Sequence, residues 1–341
     1  MTTVAPEIRC CDGDPRRAYV VGCYRSGTTL VERIVGCHPD SAGLGFETHF
    51  FTHVVPGRPL PGFNAREWEQ PLRQQLGVRS WEHVAGDRWD VFDSIAKRLA
   101  KERGASVFVE KTPFHLFHVE RILARDPDAR VVHVVRDGRD VVTSVLAGQY
   151  PLGKWPTRRL RLLAACALWE LFTWEGLRLA QLESERFHTL RYEDVVRAPR
   201  TALETLARFL ELDDSDAALD AWFDRTRRIG SNSSFQSMRG ICDQAVSRWR
   251  EPNKLRPDEA ELVAGLLAPT LALAGYETSG ARVAPRLRAG ISHMGKLMLA
   301  LTRMAQFRGN TGAAPPLHLW RYPQQSARRR PPVGAGGSSE V

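Results

Sequence analysis

Four short apolar runs punctuate the chain, at residues 18–23, 105–110, 129–135 and 187–192. Runs of this length, bounded by polar sequence, read as strands buried inside a sheet. Around them the apolar positions recur at helical spacing. That pattern predicts helices at 28–36, about 88–103, 115–125, 138–148, 158–183 and 201–211. A last helical pattern spans 257–275 and carries Pro269, which is expected to kink or divide it. Strands alternating with helices in this way predict an α/β fold, a central parallel sheet flanked by helices.

The segments at 50–66 and 226–247 are long and rich in Gly, Pro, Ser and Asn, a composition typical of lids or binding loops. Residues 309–341 are Pro-, Gly-, Ser- and Arg-rich and are expected to be disordered. The chain of 341 residues then divides into an N-terminal segment (1–17), one α/β domain (18–280), a basic amphipathic helix (281–308) and a tail (309–341).

Charge and cysteine usage narrow the partners. The net charge is +9, but from Arg282 onward ten Lys/Arg face a single acid, which leaves residues 1–280 neutral. A basic tail on a neutral body is not the face-wide patch of a nucleic-acid domain, so no nucleic-acid partner is expected. Six cysteines form no C-x-x-C pair, and the first residues lack the basic-then-apolar order of a signal peptide. A reducing, cytoplasmic setting is expected. No uncharged apolar stretch reaches the length of about 18 residues that a membrane span needs; the best candidate, 162–174, contains Glu170.

Candidate chemistry starts at YVVGCYRSGTTLVERIV (19–35). Gly22 and Gly27 stand five apart between a strand and a helix, the outline of a phosphate-binding loop. Thr28, however, occupies the place of the lysine that an NTPase loop requires. Backbone N–H groups at a helix start, the forked donors of Arg25 and the hydroxyls of Ser26, Thr28 and Thr29 suit an anion. A tight turn without a ligand is the plainer alternative. In RVVHVVRDGRDVVTSVL (130–146) the strand ends in Arg136, where an NTPase would place a magnesium-holding carboxylate. Ser144, two helical turns further on, is placed to complete a second phosphate site. For Asp137 a helix cap is expected, and for Arg139 and Asp140 solvated charges.

Two phosphate-type sites on adjacent strand ends resemble the sulfotransferases that use 3′-phosphoadenosine-5′-phosphosulfate (PAPS). GCYRSGTTLVERIVGCHPD is similar to that family's 5′-phosphosulfate loop and VVRDGRDVVTSVL to its 3′-phosphate motif. TLRYEDVVRAPRTALETLARFLEL (189–212) and SRWRE (247–251) resemble later family blocks, in order, so the likeness covers about residues 18–276. The resemblance implies a phosphate-loop type of α/β domain, PAPS as sulfuryl donor and a mechanism that requires no metal. It assigns Arg25, Ser26, Gly27, Thr28 and Thr29 to the 5′-phosphosulfate, and Arg136 with Ser144 to the 3′-phosphate. Tyr192 would lie against the adenine or its phosphate, and Arg239 is a weaker candidate for the 3′-phosphate.

The missing lysine then has a physical reason. In sulfuryl transfer no β,γ-phosphate pair needs bridging, yet charge develops on the leaving oxygen and needs a cation. Lys111, just past a strand end, is the expected cation, because strand ends of open α/β sheets line the ligand crevice. The acceptor must lose a proton, so a general base is required. GLGFETHFF (43–51) offers Glu47 and His49, with His53 following; a Glu-Thr pair in this position resembles the protein-tyrosine sulfotransferases. Ser233 and Ser234 resemble a hydroxyl-bearing loop of some relatives, while His115, His118 and His133 read as packing residues. The acceptor, a hydroxyl or less often an amine on a small molecule, glycan, lipid or peptide, is not legible. Rival readings are an ATP/Mg-dependent phosphotransferase with a degenerate loop and a non-catalytic nucleotide-binding interaction protein. The basic stripe at 286–308 either lies on an anionic membrane or partner, or packs on its own domain.

Overall fold

In a computed structural model the described residues are 13–48, 51, 88–148, 156–183, 185–229 and 240–307, with 88, 90, 91 and 301–307 as backbone only. His49, His53, Ser233, Ser234 and Arg239 lie outside them, as do most of the two long loops and the tail beyond 307. Five parallel strands form one sheet in the order β2-β3-β1-β4-β5: β1 Arg16–Gly22, β2 Ser41–Gly43, β3 Val107–Lys111, β4 Arg130–Val135 and β5 Phe187–Arg191. The three central strands carry apolar side chains on both faces. Tyr19 and Val21 of β1 enter one core while Ala18 and Val20 enter the other. This two-sided burial is why the strands read as unbroken apolar runs.

One face is covered by α2 (Arg88–Arg103), α4 (Gly138–Gly148), α5 (Arg158–Leu182) and α9 (Pro257–Leu273). The other is covered by α1 (Thr28–Gly36), α6 (Tyr192–Arg197), α7 (Pro199–Leu210) and α8 (Asp216–Thr226). A 3-10 turn (Pro113–His118) and α3 (Val119–Arg125) link β3 to β4. From β1 the chain first builds outward on one side, to β2 and β3, and then crosses to the other side for β4 and β5. The strand order therefore reverses about β1, and the crevice beyond its C-terminal end is where such sheets bind ligands.

Three expectations are corrected. The fourth run ends as a strand at Arg191, and Tyr192 opens α6. β2, only Ser-Ala-Gly, was not anticipated, because three small residues leave no apolar signal. Pro269 does not divide its helix. A proline at 269 cannot donate to the carbonyl four residues earlier, that of Gly265, and Arg288 Nη2 donates to that oxygen instead at 3.2 Å. Arg288 sits on α10 (Pro285–Phe307), the basic amphipathic helix. Its stripe packs on the protein itself: Ile291 and Leu299 are buried, and Gly295 lies so close to the Ala167 carbonyl of α5 that a Cβ would stand 2.9 Å from it.

The Pro269–Arg288 arrangement is testable by a double-mutant cycle. Arg288→Ala should cost about 1–3 kcal/mol in urea unfolding, the usual penalty of orphaning a backbone carbonyl. In a Pro269→Ala background, where residue 269 regains its N–H, the same substitution should cost much less. Equal costs in both backgrounds would dismiss the arrangement.

Candidate active site

The site is built at the ends of β3, β1 and β4. β1 and β4 approach closely where the loop begins: a Cβ on Gly22 would stand 2.4 Å from the Val134 carbonyl oxygen. Ser26 N–H donates to the Cys23 carbonyl at 3.1 Å, and Arg25 takes a left-handed conformation with φ 71°. Gly27, φ 99°, stands at the start of α1 and supplies no side-chain cap to it. The first N–H groups of α1 are thus left facing the crevice with the positive end of the helix dipole. Ser26 is fully buried and its hydroxyl has no hydrogen-bond partner among the described residues. An uncapped helix start and an orphaned buried hydroxyl fit an anion in the loop.

Tyr192 closes the loop from behind. A Cβ on Gly27 would meet Cδ2 of the Tyr192 ring at 2.4 Å, so the position admits only glycine while the tyrosine stays. Above that ring lies the Arg136 guanidinium, 4.6 Å from its centroid. Arg136 Nη1 donates to the Arg25 carbonyl at 3.1 Å, and Nη2 donates to the Ala245 carbonyl. The Arg136 carbonyl accepts from Trp169 Nε1 at 2.9 Å. Arg25 Nε donates to Ser144 Oγ at 3.0 Å, so its guanidinium is held toward α4, on the side expected for the 3′-phosphate. Burial first, and the neighbouring Arg136 cation second, lower the Arg25 pKa. Two cations crowded in this way favour a ligand of high negative charge.

On the other side of β1, Lys111 ends β3 with its side chain 4 % exposed, paired in register with Val20. Its Nζ is 2.9 Å from Glu47 Oε1. Of the expected site residues, Arg25, Arg136, Ser144, Tyr192 and the loop form one group, and Lys111 with Glu47 a second. His49 and Arg239 lie outside the described residues.

Several functional-looking residues escaped the sequence. Asp137 does cap α4, accepting from the Arg139 N–H at 2.9 Å, but Arg139 and Asp140 are buried rather than solvated. Arg139 forks onto Asp137 and lies 4.4 Å over the Trp249 ring. Asp140 accepts the backbone N–H groups of Ser247 and Trp249 at 2.8 and 2.9 Å, which anchors SRWRE to the start of α4. Glu193 accepts the Asp137 N–H at 3.0 Å and the Tyr276 hydroxyl at 2.8 Å. Glu32 of α1 is 4 % exposed, with Oε2 unpartnered among the described residues. Burial pushes its carboxyl up to about 7; Lys111 opposes the rise, while Glu110 and Glu47 add to it. Among the described residues no cluster of three or more potential metal ligands occurs, and no helix is long and apolar enough to cross a membrane.

A family model described as "Sulfotransferase family" matches residues 17–216, more than half of the chain. The chain belongs to the sulfotransferase family. It is 24 % identical to protein-tyrosine sulfotransferase 1 of Danio rerio over 76 % of this chain and 72 % of that protein. It is 26 % identical to an uncharacterized protein of Aquifex aeolicus over 70 % of this chain, but spans only 31 % of that longer relative. The sulfotransferase domain from the curacin biosynthetic pathway shares the fold, with a TM-score of 0.56 at 18 % identity, covering 78 % of this chain and 99 % of that one.

Glu32 makes the stability of this sulfotransferase pH-dependent. Between about pH 4.5 and 7 the folded state holds a proton that the unfolded chain releases, so stability falls as pH rises through this window. The loss is of the order of 3 kcal/mol. Glu32→Gln should flatten that part of the profile when urea midpoints near pH 5 and near pH 7.5 are compared. A difference as large as in the wild type would dismiss the assignment.

Proposed function

We propose that the protein transfers a sulfuryl group from PAPS to an acceptor hydroxyl, with Glu47 as general base and Lys111 as the cation at the leaving oxygen. The observation that carries this reading is the Lys111–Glu47 pair, 2.9 Å apart at the strand end beside a phosphate loop that has no lysine of its own. The loop N–H groups and the hydroxyls of Ser26, Thr28 and Thr29 hold the 5′-phosphosulfate. Arg136, Ser144 and Arg25 serve the 3′-phosphate, Arg25 reaching there through its bond to Ser144. Tyr192 sets the floor between the two sites. Glu47 takes the acceptor proton as the acceptor oxygen bonds to sulfur. The bond from sulfur to the bridging oxygen breaks, and Lys111 meets the charge that collects on that oxygen. The products are the sulfated acceptor and adenosine 3′,5′-bisphosphate. The likeness to a protein-tyrosine sulfotransferase makes the phenolic hydroxyl of a tyrosine peptide the first acceptor to try.

Adenosine 3′,5′-bisphosphate without metal should raise the melting temperature, stabilising the fold by about 2.7 kcal/mol at a hundred times its Kd. A rise with ATP–Mg²⁺ alone would replace this reading with phosphotransfer. Glu47→Gln should lower kcat about 10²–10⁴-fold with bisphosphate binding intact. Wild-type turnover in that variant would remove Glu47 from the role.

A further inference from the structure

The chemistry above leaves unused a buried carboxylate one residue before Lys111. Glu110, on β3, is 1 % exposed. It accepts from Thr48 Oγ1 at 2.5 Å and Thr112 Oγ1 at 2.7 Å, and meets His115 Nδ1 at 2.8 Å. The far nitrogen of the same fully buried imidazole, Nε2, accepts the Phe51 backbone N–H at 3.1 Å. A nitrogen that accepts carries no proton, so Nδ1 bears the hydrogen and donates it to Glu110. Burial by itself would raise the Glu110 carboxyl, but His115 and the two threonines outweigh it and hold it below the usual carboxylate range.

The pair therefore grips one short segment twice, by the Thr48 side chain and by the Phe51 backbone. Residues 44–48 and 51 belong to no helix or strand. Glu47 immediately precedes the first of these grips. We propose that Glu110 and His115 are positioning residues that hold the segment after Glu47 so that its carboxylate stands at Lys111 and at the acceptor. The proposal rests on Glu47 being the base. It accounts for a histidine held against a buried acid, and for an acid that takes three hydrogen bonds one residue before Lys111. A displacement of about 1 Å in such a group costs on the order of 10²-fold in rate.

Water can stand in for the unidentified acceptor, because release of adenosine 3′,5′-bisphosphate from PAPS then reports turnover. His115→Leu removes the Phe51 grip and the Nδ1–H that fixes Glu110, the partner of Thr48; His115→Gln keeps an acceptor for the Phe51 N–H, and Thr48→Val removes the other grip at nearly constant volume. His115→Leu should lower kcat by about 10²-fold while the bisphosphate Kd stays within about twofold. His115→Gln should recover most of the loss, and Thr48→Val, the variant least able to disturb folding, should lose about tenfold. In a Glu47→Gln background the His115 substitution should add little, because a base that is absent cannot be misplaced. Wild-type turnover in both His115→Leu and Thr48→Val would overturn the proposal. So would an undiminished His115 effect in the Glu47→Gln background, or a parallel loss of bisphosphate binding. Wild-type turnover by Glu47→Gln alone would overturn it through its premise, a failure that is recognisable because it does not involve His115.

Discussion

An unpaired buried charge costs several kcal/mol, and the deeply buried Arg136 guanidinium places Nη1 and Nη2 on protein oxygens, while its Nε has no partner among the described residues. Where those groups go organises the site. One reaches the carbonyl of Arg25 in the loop and another the carbonyl of Ala245. The cation's face covers Tyr192, whose ring leaves room for nothing but glycine at position 27. The Arg136 carbonyl is meanwhile fixed by the Trp169 indole. The left-handed backbone of Arg25, costly for a residue with a Cβ, is thus over-determined from outside the loop. Loop, α6 and the late block thus meet on one side chain, and α5 on the carbonyl of the same residue. Asp140 completes the arrangement by taking two N–H groups of that late block.

What could be read from the sequence follows from which forces are local. The central strands were legible because burial on both faces writes itself as an unbroken apolar run. β2 was not, because Ser41, Ala42 and Gly43 pair with β3 but carry too little apolar side chain to write a signal. Pro269 looked like a break because the local rule contains no Arg288. The replacement donor lies 23 residues beyond the Gly265 carbonyl that it bonds, on a different helix.

The same division runs through the site. Gly22 and Gly27 were legible because their spacing is local, and Arg136 and Lys111 because a charge at the end of an apolar run is conspicuous. Their grouping followed from strand order, which places β3 and β4 on either side of β1. Glu32, Glu110 and His115 were not legible, since nothing in VERIV or in EKTPFH tells which way the side chain points or what it meets. His115 read as a packing residue, and packing it does; its hydrogen bonds run to residues 5 and 64 positions away. Arg139 and Asp140 were misjudged as solvated for a related reason. Two adjacent opposite charges look like surface, and only Trp249 and Ser247, more than a hundred residues away, bury them.

Charge is distributed unevenly across β1, and the imbalance bears on the chemistry. On the β4 side stand Arg25 and Arg136; on the β3 side Lys111 is the cation among Glu32, Glu47 and Glu110. Three full negative charges there would repel any anionic ligand from Lys111, the lysine proposed to meet the leaving oxygen. Each carboxylate is handled differently. Glu110 is ionised but satisfied from within by an imidazole and two hydroxyls. Glu47 is balanced by Lys111 itself. Among the described residues Glu32 has neither a donor on Oε2 nor a paired cation, and burial lets it keep its proton up to about pH 7. A neutral Glu32 leaves Lys111 with one direct counter-charge, Glu47. On the proposed reading, that contact is the one the donor would compete for, and loosening it would free the Glu47 carboxylate to take the acceptor's proton.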